Sequence, residues 1–96
     1  AMSGEGFVFV RVVVDGRKGR LVGTPVVESR GWVEPDDRDA WHSDVAEAVA
    51  EAVASAVGDG QREPRELERL TRRATGRLVS RRTGRRPALV PTVEVC

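Results

Sequence analysis

The chain has 96 residues, 40% of them hydrophobic, with a net charge of +1. That suits one compact domain with a modest core, and no apolar run approaches the roughly 20 residues needed to cross a membrane. A single cysteine and a single histidine exclude an internal disulfide and make a zinc-hydrolase cluster or a serine triad improbable, since those need several ligands or a placed base.

The charge is unevenly spread. Residues 1–30 carry net +2, residues 31–60 net −7 and residues 61–96 net +6. Lys18 is the only lysine, and the arginine bias suggests a GC-rich genome as readily as phosphate binding. Residues 1–6 read as a disordered start or cloning remnant with no signal-peptide pattern, and residues 7–96 as one domain.

Phe7–Val14 predicts a strand, with Val8, Val10, Val12 and Val14 on one face and Phe7, Phe9, Arg11 and Val13 on the other. Asp15–Arg20 is a turn signal with two glycines. Leu21–Glu28 predicts a second strand, antiparallel to the first in a hairpin, with Pro25 at a position that donates nothing to a ladder. Glu34–Asp39 is a helix start in which Asp36, Asp37 or Asp39 caps and complements the helix dipole.

Ala40–Val57 predicts a helix with Trp41, Val45, Val49 and Val53 as its stripe and Gly58 as its left-handed cap. Pro64 opens a second helix with the stripe Leu67, Leu70, Ala74 and Leu78, a favourable Glu68–Arg72 pair, and Gly76 at a close crossing with the alanine-rich first helix. Thr83-Gly84 stops it, and Ala88–Val95 is a final strand whose pairing Pro91 restricts. The order ββααβ predicts an α+β fold: a three-stranded sheet with two helices on one face. The other face, with Phe7, Phe9 and Val13, is then left open as an interface with a second copy or with the rest of a larger protein.

Two segments resemble the carboxyl-terminal domain of bacterial ribonuclease J, of the metallo-β-lactamase and β-CASP ribonuclease family. Val22–Val33 keeps that domain's Gly23, Pro25, Ser29, Arg30, Gly31 and Val33, with Trp32 in place of a phenylalanine, and Thr83–Val95 keeps Thr83, Arg85, Arg86, Pro87 and Pro91. The valine-rich first strand and the two helices occupy the places such a domain requires. The resemblance implies a piece of a zinc-dependent 5′–3′ exo- and endoribonuclease of the cytoplasm. The zinc sits in the parent's catalytic domain, on an H-x-H-x-D-H motif that this sequence lacks. The resemblance transfers no catalytic, metal or cofactor residue to this chain. It implies a non-catalytic role in oligomer assembly and full activity, with the parent's catalytic domains and a second copy as partners, RNA reached through the parent, and no membrane.

The remaining features have two readings each. Arg30, Arg81, Arg82, Arg85 and Arg86 contact RNA or a neighbouring subunit; otherwise Arg30 makes an ion pair at the strand exit, and Arg81, Arg82, Arg85 and Arg86 cap the second helix and neutralise the acidic first one. Gly31 supplies an unusual backbone angle at a strand exit. His42 is a half-buried helix residue beside Trp41 rather than a ligand, and Trp32 and Trp41 serve packing before base stacking.

Overall fold

The computed structural model describes residues 6–31, 38–84 and 86–96. Trp32, Val33, Asp36, Asp37, Arg85 and the start of the chain lie outside the described residues, as does the side chain of Asp39, so the capping reading is not placed. Among the described residues, four strands, β1 (Phe7–Asp15), β2 (Arg20–Leu21), β3 (Val26–Arg30) and β4 (Ala88–Val95), and two helices, α1 (Arg38–Gly58) and α2 (Pro64–Thr83), follow in the order β1-β2-β3-α1-α2-β4. The class is α+β, with the helices packed on one face of the sheet.

β1 is the central strand. Its alternating valines Val8, Val10, Val12 and Val14 are buried at 2% exposure or less, as a period of two requires when one face is covered. β4 runs parallel to β1 along one edge, from Phe7↔Ala88 to Val14↔Val95. A strand has only two edges, so β2 and β3 share the other. They lie end to end and antiparallel to β1, through Val14↔Leu21 and Phe7↔Arg30 respectively. Between them the register shifts by two residues. The single second strand expected over Leu21–Glu28 is therefore two pieces joined through residues 22–25. Gly23 takes a φ of 70° there, and Pro25 is buried without an N–H to offer a ladder.

The first turn is tied from three sides. Asp15 Oδ1 accepts from the Lys18 and Arg17 amides, both at 3.0 Å. The bond from Lys18 is the largest cause holding the Asp15 carboxyl below its ordinary value, and that from Arg17 adds to it. Arg62, in the link between the helices, donates from Nε to the Gly16 carbonyl (2.8 Å) and from Nη1 to the carbonyls of Val57 (2.7 Å) and Gln61 (2.9 Å). One guanidinium thus joins the hairpin turn to the carboxyl end of α1.

The core comprises the β1 valines, Val93, and Trp41, Val45, Val49, Val53 and Val57 of α1, with Leu67 and Val79 of α2. α1 continues through Gly58, and the left-handed residue after it is Gly60 (φ 101°) rather than Gly58. α2 ends as expected, with Gly84 at φ 69° and its amide bonded to the Ser80 carbonyl. Its buried face is Leu67, Thr71, Thr75 and Val79. Leu70, Ala74 and Leu78, expected at the centre, are only partly buried and pack beside it. The stripe is rotated onto two threonines that bury their methyl groups: Thr71 Oγ1 donates to the Leu67 carbonyl at 2.8 Å, whereas Thr75 Oγ1 is buried without a hydrogen-bond partner among the described residues.

Two further α2 expectations change. Arg72 does not pair with Glu68. It donates to the Leu89 carbonyl at 3.2 Å, while Glu66 is bonded by Arg69, Nε to Oε1 at 2.8 Å. Gly76 faces β4 rather than α1: a Cβ there would sit 3.1 Å from Leu89 Cδ1. That atom is the tip of a flexible side chain beside a pocket of about 220 Å³. Alanine gains about 1 kcal/mol of helix propensity over glycine, and Leu89 has room to yield. Gly76→Ala is therefore expected to raise the thermal midpoint by about 2–4 °C, a net gain of about 0.5 kcal/mol in a domain of this size. A lowered midpoint in a calorimetric scan would show that Leu89 is fixed.

Candidate interaction surfaces

The register of the three ribbons fixes which side chains share the face away from the helices. Phe7, Phe9, Arg11 and Val13 of β1 lie beside Arg30, Glu28 and Val26 of β3 and beside Ala88, Val90, Thr92 and Glu94 of β4. Phe9 (39% exposed), Val26 (55%) and Val90 (38%) are large apolar residues open to solvent. The Phe7 and Phe9 rings meet edge to face, with centroids 4.9 Å apart, so the aromatic pair is ordered on its own strand. Arg11 and Glu94 approach to 3.8 Å, and Glu28 and Arg30 line the β3 side. The surface is an apolar centre with a rim of both signs.

The β4 edge of the sheet is interrupted for strand addition at Leu89 and Pro91. The Ala88 and Cys96 amides donate to the carbonyls of Gly6 and Val14, and the Cys96 carbonyl accepts from Gly16. Backbone groups of alternate residues point the same way along a strand. Ala88, Val90, Thr92, Glu94 and Cys96 therefore turn towards β1, and Leu89, Pro91, Val93 and Val95 turn outward. Pro91 has no N–H, and the Leu89 carbonyl is bonded by Arg72. Proline and a charged side chain on an outer edge are how natural sheets avoid pairing with another chain.

The sequence-predicted arginines do not form one surface. Arg30 lies on the open sheet face at the end of β3. Arg81 and Arg82 belong to the last turn of α2. Arg82 pairs with Asp44 of α1, which joins the basic and acidic thirds of the chain directly. Arg86 is exposed just before β4, and Arg85 lies outside the described residues. Arg81 with Arg77 lines one wall of an open groove of about 440 Å³ between the helices, and Glu51 stands on the other.

One contact was missed from sequence. Ser29 Oγ and His42 Nε2 are 2.9 Å apart, which ties β3 to α1, and the His42 ring stands edge-on to Trp41 with centroids 4.4 Å apart. No sequence signal joins residues 29 and 42. Their meeting follows from α1 crossing the sheet at β3. Among the described residues no three histidine, cysteine or carboxylate side chains gather as metal ligands. The donor set needed for a zinc pair is not assembled by them. No helix among the described residues is long and apolar enough to cross a membrane.

The fold and surfaces define a small α+β domain whose conspicuous exposed features are an apolar sheet face and an arginine-rich helix face. The model of the ribonuclease J C-terminal domain family matches residues 1–95, and the chain belongs to that family. No curated protein matches it. Membership implies a ribonuclease, a hydrolase, as the parent.

Proposed function

We propose that the chain is a non-catalytic accessory domain of a cytoplasmic, zinc-dependent 5′–3′ exo- and endoribonuclease, and that it raises activity by assembling the parent's subunits. The zinc belongs to the parent's catalytic domain. The observation that carries this reading is the open sheet face. Phe9, Val26 and Val90 are exposed together around an ordered aromatic pair, and burying such a patch supplies the favourable term in association. The partner is a second copy: a rim carrying Arg11, Arg30, Glu28 and Glu94 presents both charges and suits a surface meeting itself about a two-fold axis. The proline-interrupted β4 edge favours face packing over sheet extension.

Deletion of the domain from the full-length ribonuclease is expected to lower both the mass measured by sedimentation and the rate of RNA hydrolysis. Phe9→Asp with Val90→Asp in the intact enzyme should have the same direction of effect, because neither side chain belongs to the buried core and the fold is retained. A truncated enzyme of unchanged mass and full activity would end this reading.

A further inference from the structure

We propose that the outer face of α2 is a track for the phosphate backbone of RNA, a site separate from the sheet face and on the opposite side of the molecule. The choice of RNA among polyanions rests on the parent being a ribonuclease. Arg65, Arg69, Arg73, Arg77 and Arg81 recur at every fourth position, so they form one continuous row on the helix surface. At 1.5 Å per residue the row is about 24 Å long. It begins on the side of α2 away from α1, crosses the face opposite the buried Leu67, Thr71, Thr75 and Val79, and ends at the groove that Arg77 and Arg81 line.

These arginines are exposed, and most are not used by the fold. Arg69 is bonded by Glu66, while Arg65, Arg73, Arg77 and Arg81 make no hydrogen bond or ion pair with the described residues. Glu66 lies close enough to act on Arg73 electrostatically, but the row carries more positive than negative charge, and an anion spread along the same line relieves the remaining repulsion. Guanidinium matches phosphate oxygens in a two-point geometry that lysine lacks, and no aromatic residue lies on α2 to stack on bases. Recognition is therefore of the backbone, without sequence preference. Glu51 on the far wall of the groove limits the track on the α1 side.

The test is fluorescence anisotropy of end-labelled oligouridylate and oligoadenylate with the 96-residue chain. Both should bind alike. With four contacts at about 0.7 counterions each, raising salt from about 50 to 200 mM should weaken binding about 50-fold. The triple replacement Arg73→Gln, Arg77→Gln, Arg81→Gln should reduce the logarithmic salt slope by about 2 and weaken binding at least tenfold, with an unchanged circular dichroism spectrum. Arg11→Gln on the sheet face should leave binding as it is. Absence of binding at low salt, wild-type binding by the triple variant, or equal competition by polyglutamate would overturn the proposal, the last by making the row a surface for acidic protein. The outcome is separable from assembly. In the full-length enzyme the triple variant should keep its mass by sedimentation, and the Phe9→Asp, Val90→Asp chain should still bind RNA.

Discussion

Trp41→Ala is expected to destabilise the domain by about 3–5 kcal/mol, the usual cost of removing a large aromatic side chain from a core. Trp41 is 1% exposed, the largest fully buried side chain among the described residues, and the remainder of the core is mostly valine. Valines stiff at χ1 cannot swing into the space an indole leaves, so the cavity collapses little and the cost falls towards the upper part of the range. A domain of this size has about 5–15 kcal/mol in total, so one substitution removes about a fifth of it or more. The thermal midpoint should fall by about 15–30 °C. In urea titrations followed by circular dichroism at 222 nm, the midpoint should drop with little change of slope. Trp41→Phe, which keeps a ring against Val45 and the sheet, should lose less than half as much. A Trp41→Ala loss below about 1 kcal/mol would mean that α1 is not anchored by this residue.

The same core shows what the sequence makes plain and what it hides. The alternation of Val8, Val10, Val12 and Val14 and the four-residue repeat from Trp41 to Val57 both announce their buried faces, because a period of side-chain character is a direct image of local geometry. The open face at Phe7 and Phe9 follows from the same alternation once two helices are assigned to one side. Three features were not legible. The buried stripe of α2 was misplaced by about one position, since Thr71 and Thr75 count as polar in a pattern but are buried at 0% and 1%. The break between β2 and β3 depends on a two-residue register shift that only pairing reveals. The parallel β4 at the centre strand's second edge is a non-local choice that no window of sequence contains. The α2 arginine row was present in the sequence all along. Its first members, Arg65, Arg69 and Arg73, lie opposite the apolar stripe by spacing alone, because adjacency on a helix surface is set by spacings of three and four.

Gly31 carries the second large effect, and its cause is backbone rather than side chain. It sits at φ 95° just after β3, where an L-residue pays about 1–2 kcal/mol. An added Cβ would also lie 2.5 Å from Gly6 Cα and 3.3 Å from Gly6 N, and neither atom can rotate away. Gly6 must shift, and it is tied to the sheet on the other side: its carbonyl accepts the Ala88 amide at 2.9 Å, the first bond of the β1–β4 ladder. Displacing it loosens Phe7 from Arg30 and β4 from β1 at once, at the end of the sheet that carries the aromatic pair. Gly31→Ala is therefore expected to cost about 3 kcal/mol, the positive-φ penalty plus the strain of moving a hydrogen-bonded strand end. Gly23 provides the internal comparison. It has a φ of 70° but nothing within 4 Å of an added Cβ, so Gly23→Ala should lose only the torsional part, about 1–2 kcal/mol. Hydrogen exchange separates the two. Gly31→Ala should speed exchange at the Val8 and Ala88 amides, and Gly23→Ala should leave both protected. Equal losses for the two variants, with no change at Ala88, would show that the contact between Gly31 and Gly6 does not hold the sheet end together.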